Sequence, residues 1–363
     1  MQQHSRQKIL MIAEWYEPGF KAGGPIQACK NVVACLKEEY DFFILCSDRD
    51  HGDLAPYPEL PLNQWIKNER GVNIWYASPD FMGNRSLLKM LQEVMPDFVY
   101  FNSMYSYKYT LLPLWVILKN RYRGKIILAP RGMLHKGALE KKYIKKSVFL
   151  KLFLLIGWSR KIIFQATDEQ EQKDIQFFFT GKVNVAVVED IPTVNRQPWQ
   201  EKKKTEGSLQ FIFLSRIHPK KNLHYFLNLL KEINQDIQIR FDIYGSNDHP
   251  DYMERCEKIV ATLPPNIKVR FMGAITFNKV FETLRLYHVF VLPTLGENYG
   301  HAIFEALTSG LPVMVSDQTP WRGLEQMKVG WDIPLQVKGK FIDAITQAAG
   351  WTQQEYKEWS EKA

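Results

Sequence analysis

The chain has 363 residues, of which 45% are hydrophobic and 24% charged, and it has a formal net charge of +8. This length exceeds one ordinary α/β domain, so two domains are expected. Every apolar run is shorter than the roughly 18 residues of a membrane-spanning helix, and the amino terminus lacks a hydrophobic signal core. The four cysteines show no C-x-x-C spacing, which fits a reducing compartment. The sequence therefore predicts a cytoplasmic protein, either soluble or peripheral at the inner face of the cell membrane, with an anionic partner.

Short apolar runs alternate with helical periods along most of the chain, which is the βαβ pattern of parallel sheets covered on both faces. The pattern breaks after Val188, in a polar stretch that contains two prolines. We therefore expect an amino-terminal domain over 1–192, a linker over 193–207 and a carboxyl-terminal domain over 208–363. The predicted strands are 9–13, 42–46, 73–77, 98–101, 125–129, 161–166, 183–188, 209–215, 237–244, 267–271, 289–293 and 313–316.

A glycine pair, Gly23 and Gly24, follows the first strand and precedes a helix. Backbone without side chains can approach a phosphate or a sugar at such a turn, although a plain tight turn is the alternative. The G-x-G-x-x-G spacing and the acid about 20 residues further on are both missing, which argues against a nicotinamide oxidoreductase.

Asp48 and Asp50 form a D-x-D sequence that could hold a divalent cation. Such short matches are frequent in loops, so we favour a solvated loop and predict no metal site. The cations of the chain are dispersed among acids, without a basic patch studded with aromatic residues, which argues against nucleic acid as the partner.

Two basic features follow the strand at 125–129. Arg131 and His135 are expected to be exposed at its carboxyl end, where either could bind a phosphate or a sugar hydroxyl. The segment 140–161 begins with four lysines and continues into an apolar run of helical length. This segment fits either an anionic membrane surface or a buried core helix with a solvated start.

Arg216 and Lys221 come directly after the strand at 209–215. An arginine can bind a diphosphate with two hydrogen bonds, and a lysine adds a compact charge. Asn222 is expected to cap the helix that follows. A solvated basic turn is the alternative.

Glu297 and Glu305 lie on either side of a strand–loop–helix junction that contains Gly300. Ligands bind at the carboxyl ends of strands in open α/β sheets, and the first amides of the next helix favour an anion. The two carboxylates can accept hydrogen bonds from sugar hydroxyls. A nucleotide sugar would satisfy both halves of this junction.

The spacing of these glutamates, with the surrounding glycines and prolines, resembles the E-x7-E signature of retaining GT-B glycosyltransferases of the GT4 type (glycosyl transferases group 1), in particular bacterial members that build surface polysaccharides. The resemblance implies an α/β protein of GT-B fold, with two Rossmann-like doubly wound domains facing across a cleft. It implies that Glu297 contacts the transferred sugar, that Glu305 binds the ribose, and that Arg216 and Lys221 hold the pyrophosphate.

The resemblance also implies further donor-binding positions and an acceptor side. The donor-binding positions are Gly23, Gly24, Gly245, Met272, Gly273, Asn298, Tyr299, Gly300, His301 and Glu305. Arg131 and His135 are assigned to the acceptor or sugar side. The expected reaction moves a sugar from a UDP- or GDP-sugar to a saccharide or lipid-linked saccharide with retention, and it needs no metal or other cofactor.

Two alternatives stay open at this point. A degenerate protein of the same fold would bind a sugar nucleotide without catalysis, although Arg216, Lys221, Glu297 and Glu305 are all present. Chains of this family usually continue into a helix that crosses back onto the first domain, so this chain is expected to stop early or to be trimmed.

Overall fold

The computed structural model describes residues 6–134, 153–154, 157–179, 183–193 and 198–363. The chain divides into two units, Met1–Ile191 and Pro192–Ala363. Each unit is built around its own twisted, mainly parallel sheet with helices on both faces. His135 and most of the segment 140–161 lie outside the described residues.

The first unit contains an eight-stranded sheet with the order β3-β4-β2-β1-β5-β6-β7-β8. All neighbouring strands are parallel except the short edge strand β3, which runs antiparallel to β4. The strands are β1 Lys8–Ile12, β2 Asp41–Ser47, β3 Trp65–Lys67, β4 Asn73–Ala77, β5 Phe98–Phe101, β6 Lys125–Leu128, β7 Ile162–Ala166 and β8 Asn184–Val187. The described helices are α1 Gly24–Leu36, α2 Asn84–Val94, α3 Leu112–Lys119 and α4 Glu169–Phe178.

The second unit contains a six-stranded parallel sheet with the order β11-β10-β9-β12-β13-β14. The strands are β9 Ser208–Leu214, β10 Gln238–Tyr244, β11 Ile267–Gly273, β12 Val289–Leu292, β13 Val313–Ser316 and β14 Gly330–Ile333. The helices are α5 Leu223–Leu229, α6 Pro250–Val260, α7 Val280–Leu284, α8 His301–Leu307, α9 Lys338–Gly350 and α10 Gln353–Lys362.

The central strands of the second sheet are apolar because helices cover both of their faces. All four residues of β12 and all four of β13 are buried. Fully burying an aliphatic or aromatic side chain stabilises a fold by about 1.5–3 kcal/mol, so this sheet forms a rigid base for the loops at its edges.

The described part of the segment that was predicted as a linker lies against the second unit. The indole Nε1 of Trp199 donates to Ser360 Oγ at 3.0 Å, and the main-chain N–H of Lys204 donates to the side chain of Gln353 at 2.6 Å. The Lys204 ammonium is buried and donates to the carbonyls of Ala349 and Trp351 at the end of α9. Burial lowers the pKa of Lys204 to about 8.

Candidate functional site

The strand order of the second sheet reverses between β9 and β12. From β9 the chain crosses to β10 on one side, and from β12 it crosses to β13 on the other side. The loops that leave the carboxyl ends of these two strands, 215–222 and 293–300, therefore flank a crevice at the sheet edge. Open α/β sheets bind ligands at this kind of switch point.

The loop after β9 presents Arg216. Its guanidinium donates one hydrogen bond, from Nη1 to Asp248 Oδ2 at 3.2 Å, and the side chain is 40% exposed. Ser246 Oγ holds the other oxygen of Asp248 at 2.8 Å. A guanidinium has five N–H donors, so this contact orients Arg216 and leaves most of its donors for a ligand.

Lys221 forms an ion pair with Glu297, which joins the two loops of the switch point. Both side chains are mostly buried, with 15% and 13% of their surface exposed. Burial by itself would raise the pKa of the Glu297 carboxyl, but the charge and hydrogen bond of Lys221 and the charge of Lys220 lower it below its ordinary value. Glu297 is therefore an ionised acceptor, and the Lys221 ammonium keeps two of its three donors.

Main-chain contacts fix the loop that contains Glu297. The carbonyl of Lys220 accepts from the Leu295 N–H at 2.8 Å and from Thr294 Oγ1 at 3.1 Å. The N–H of Glu297 donates to the Gln318 carbonyl at 3.0 Å, so the loop after β13 supports it from the other side. The ionised pair is thus held by three loops of one rigid sheet edge.

Gly300 makes the turn into α8 with a φ of 81°, in the left-handed region that favours glycine. A Cβ at this position would lie 2.9 Å from Ile303 Cδ1, so any other residue would add a shift of Ile303 to the strain of the left-handed backbone. Trp321 Nε1 donates to the Tyr299 carbonyl at 2.8 Å and holds the turn. No motif in the sequence indicated this role of Trp321. Helix α8 has only seven residues, so the charged side chains rather than its dipole dominate the local field.

Glu305 lies on α8 and is 6% exposed. Among the residues that the structure describes, none donates a hydrogen bond to its carboxyl group. Burial raises the pKa of Glu305 to about 8, so the carboxyl is largely protonated at neutral pH in the absence of a ligand. A buried carboxyl without a protein partner is unusual, and it can exchange hydrogen bonds with the hydroxyls of a ligand.

The remaining predicted positions of the second unit lie in the neighbouring loops. A Cβ on Gly245 would overlap the main-chain oxygen of Ser215, so only glycine allows the loops after β9 and β10 to come this close. The Gly245 N–H donates to the Gly273 carbonyl at 2.9 Å, and Met272 is 43% exposed beside it. Asn298 is half-buried, and the rings of Tyr299 and His301 pack together with centroids 5.0 Å apart.

Asn222 precedes α5 as expected, but its side chain does not cap the helix. Its backbone is left-handed, with a φ of 58°, and the side chain is buried. Instead, His218 Nδ1 accepts from the Lys220 N–H at 3.0 Å and orders the turn that contains Lys221.

In the first unit, the expectation that Arg131 is exposed is wrong. Its side chain is 7% exposed and forms an ion pair with Asp190. Its Nη2 donates to Tyr100 OH at 2.7 Å and its Nε donates to Asn102 Oδ1 at 2.8 Å. Burial opposes the charged form, but Tyr100 and Asp190 outweigh it and raise the pKa of Arg131 above its ordinary value. All three guanidinium nitrogens have protein partners, so Arg131 connects the carboxyl ends of β5, β6 and β8.

The glycine pair lies at the start of α1, where Gly23 has a φ of 67° and no atom within 4 Å of a Cβ position. The loop before it is fixed by Asp50, whose Oδ2 accepts from the N–H groups of Phe20 and Lys21 at 2.8 and 3.1 Å. Asp48 pairs with Arg49, and both aspartates are buried. The expectation of a solvated loop at this D-x-D sequence is therefore wrong.

Glu171 lies in the first turn of α4 but does not cap this helix. Its carboxylate is fully buried and accepts from the Gly132 N–H at 2.6 Å and from the Thr167 N–H at 2.8 Å. Asp168 is the residue that caps α4, because its Oδ1 accepts from the Glu171 N–H at 2.7 Å. Groups of three or more potential metal ligands do not occur within the described ranges.

Part of the second unit matches a known family model. Residues 195–349 match the glycosyl transferases group 1 family. The UDP-N-acetylglucosamine–peptide N-acetylglucosaminyltransferase GtfA subunit of Streptococcus agalactiae is 27% identical over 161 residues, which cover 42% of this chain and 30% of that protein. The UDP-Gal:alpha-D-GlcNAc-diphosphoundecaprenol alpha-1,3-galactosyltransferase of Escherichia coli is 28% identical over 159 residues, which cover 43% of this chain and 41% of that protein. The chain thus spans well under half the length of these relatives.

A solved structure shows the same fold along both units. HepE of Anabaena, in complex with UDP and glucose, has a TM-score of 0.68 with 12% identity, over 98% of this chain and 94% of that chain. The two Rossmann-like units confirm the predicted fold class, which is that of the GT-B glycosyltransferases. This chain therefore has a GT-B-type fold and contains a glycosyl transferases group 1 domain in its second unit.

Proposed function

We propose that this chain transfers a sugar from a nucleotide sugar to a saccharide or a lipid-linked saccharide, with retention of the anomeric configuration, in the synthesis of a surface polysaccharide. One observation carries the proposal. The loops at the switch point of the family-matched unit carry two cations with unused hydrogen-bond donors and an ionised glutamate, and the helix that follows carries a buried carboxyl to which no described residue donates a hydrogen bond.

The cations fit the diphosphate of the donor. Arg216 can bind two phosphate oxygens through its free N–H groups, and Lys221 can bind another while it keeps its contact with Glu297. Both charges then stabilise the negative charge that develops on the leaving nucleoside diphosphate. For this reason we expect the reaction to need no metal ion.

The two glutamates fit the polyhydroxyl parts of the donor. Glu297 is ionised and would accept hydrogen bonds from the transferred sugar, while Glu305 would bind the ribose hydroxyls. Two relatives have UDP-sugars in their names and HepE was solved with UDP, which favours a UDP-sugar over a GDP-sugar as the donor.

The reaction breaks the bond between the anomeric carbon and the diphosphate oxygen and forms a bond from that carbon to the acceptor oxygen. The proton of the acceptor hydroxyl passes to the departing phosphate, so a separate protein base is not needed. Arg216 and Lys221 orient the phosphate for this step, and Glu297 orients the sugar.

The acceptor is proposed from the relatives alone, one of which acts on a diphosphoundecaprenol-linked sugar by name. The segment 140–161, which fits either an anionic membrane surface or a buried core helix, lies mostly outside the described residues, so both alternatives stay open. All helices within the described ranges are too short or too polar to cross a bilayer.

The test is to incubate the protein with UDP- and GDP-sugars and a panel of saccharide acceptors, and to measure nucleoside diphosphate release together with the anomeric signal of the product by NMR. We expect one donor to be used in EDTA with its configuration retained. Lys338→Ala, which changes an exposed lysine away from the site, is the control variant and should behave like the unmodified protein. Release that needs a divalent ion, or a product of inverted configuration, would contradict the proposed mechanism.

A further inference from the structure

The amino-terminal edge of the first sheet carries a dense group of exposed cations. Six of the nine residues in 119–125 and 160–161 are lysine or arginine, and neither range contains an acid. We call this group the cationic edge, and its members are Lys119, Arg121, Arg123, Lys125, Arg160 and Lys161. All six are exposed, and none forms an ion pair with a described residue.

Sheet topology brings these residues together. Strands β5, β6 and β7 are parallel neighbours, and Ile126 of β6 pairs with Ile162 of β7. Lys125 and Lys161 therefore lie one residue outside this pair on adjacent strands, which are about 4.8 Å apart. Lys119, Arg121 and Arg123 lie on the turn from α3 into β6 at the same edge.

Amphipathic side chains lie among the cations, so the expectation that the chain lacks a basic patch with aromatic residues is wrong. Met95 is 70% exposed, and Tyr122 and Trp158 are half-buried. Met95, Tyr122, Arg123 and Lys125 line a cavity of about 540 Å³ that opens at this edge. Trp158 packs against Phe153 with ring centroids 5.6 Å apart. Aromatic residues beside lysine and arginine are typical of surfaces at the level of lipid headgroups.

Acidic groups near the cationic edge are few. The Asp97 carboxylate accepts from the Lys8 N–H at 2.8 Å, and Glu93 is exposed on α2. The acids Glu38, Glu39 and Asp41 lie at the start of β2, on the other side of β1 from β5. The cations are therefore densest in the β5–β7 half of the edge, although Arg6 and Lys8 at the start of β1 extend the positive charge towards the other half.

We propose that the cationic edge binds the anionic surface of a lipid bilayer, with Met95 and the aromatic side chains at the level of the headgroups. Cations and amphipathic residues together fit a bilayer better than an acidic protein or a nucleic acid, since the apolar groups gain a favourable environment only in the lipid. The carboxyl edge of the same sheet is roughly 15 Å away, the length of its strands, so it stays free of the bilayer.

The test is sedimentation with vesicles of phosphatidylcholine, with and without phosphatidylglycerol. The variant combines Arg121→Glu, Arg123→Glu and Lys161→Glu. The control combines Lys279→Glu, Lys338→Glu and Lys340→Glu, which are exposed lysines of the second unit and change the net charge equally. Each lost cation weakens partitioning about fivefold, so we expect a loss of at least about 100-fold for the variant and a far smaller loss for the control.

Several results would overturn the proposal. One is equal binding of the variant and the control, and another is no binding of the unmodified chain to phosphatidylglycerol vesicles at low salt. Loss of binding only when Lys141, Lys142, Lys145 and Lys146 are changed to glutamate would assign the membrane contact to the lysine-led segment. Binding to duplex DNA or inorganic phosphate but not to vesicles would identify a different anion. None of these results depends on transferase activity.

Discussion

Each unit has an ion pair at the carboxyl edge of its sheet, and the two pairs differ in the hydrogen-bonding capacity that they leave unused. In the Arg131–Asp190 pair, every guanidinium nitrogen has a protein partner and both side chains are almost fully buried. In the Lys221–Glu297 pair, the ammonium has one described partner, and the partly exposed Arg216 lies on the same loop.

The difference separates structural charge from functional charge. A buried pair with all its hydrogen bonds satisfied connects strands and offers nothing to a ligand. A pair with spare donors at a switch point can accept a diphosphate without being taken apart. The number of occupied donors therefore distinguishes the two roles better than burial does.

The largest expected effect is on the satisfied pair. Arg131→Met removes the guanidinium from the buried Asp190 carboxylate, and we expect it to lower the free energy of unfolding of the first unit by about 3–5 kcal/mol. Hydrogen exchange of the β5 and β6 amides measures this loss. The matched variant Arg123→Met changes an exposed arginine and should stay within about 0.5 kcal/mol. A stable Arg131→Met protein with impaired nucleotide binding would contradict the structural role and assign Arg131 to ligand binding.

The open pair should control catalysis. We expect Lys221→Ala to lower kcat by about 10²–10³-fold, because one of the two cations on the leaving diphosphate is lost. Glu297→Ala should have a comparable effect, and both proteins should remain folded by circular dichroism. Lys220 supports the loop through its main-chain carbonyl, which alanine retains. We therefore expect Lys220→Ala to lower kcat by less than about tenfold. Near-normal turnover of either main variant would refute the site assignment.

The pKa of Glu305 predicts a dependence of stability on pH. The folded protein keeps this proton up to about pH 8, whereas the unfolded chain loses it near the ordinary value of 4.5. The stability contribution of Glu305 is therefore complete below the ordinary pKa and is lost as the pH rises, by about 1.4 kcal/mol for each unit. Glu305→Gln has no titratable group at this position and escapes this loss. Its unfolding temperature should therefore rise relative to that of the unmodified protein between about pH 5 and about pH 8. A constant difference would contradict the protonated carboxyl.

The smallest expected effect concerns Trp321. Trp321→Phe keeps an aromatic side chain but loses the hydrogen bond to the Tyr299 carbonyl, which is worth about 1 kcal/mol. We expect the donor KM to rise about fivefold while the unfolding temperature changes little. Phe304→Leu, which changes the α8 ring that packs against Trp321 with centroids 6.2 Å apart, tests whether packing alone explains the effect. A lower kcat with an unchanged KM would assign Trp321 to the chemical step.

Much of the fold could be predicted from the sequence because the period of the apolar residues reports burial on both faces of a strand. The strands at 73–77, 98–101 and 313–316 have the predicted boundaries. β3 was missed because three residues at an antiparallel edge are too few to show a period.

The site was only partly predictable, because contacts between distant residues leave no local pattern. Asp190 comes 59 residues after Arg131, and the sequence offered no reason to pair them. Trp321 acts through one main-chain hydrogen bond, which has no signature in residue order. The Lys221 and Glu297 positions were predicted because their spacing matches a known family, but their direct contact required the structure.

The central claim is that the switch point of the second unit binds a nucleoside diphosphate. The most direct test is thermal unfolding with UDP, GDP, ADP, TDP and CMP, each with and without EDTA, for the unmodified protein and for Lys221→Ala. We predict that one diphosphate, most simply UDP, raises the unfolding temperature of the unmodified protein, that EDTA leaves this shift unchanged, and that Lys221→Ala loses it. No shift with any nucleotide, or an equal shift in Lys221→Ala, would contradict the account.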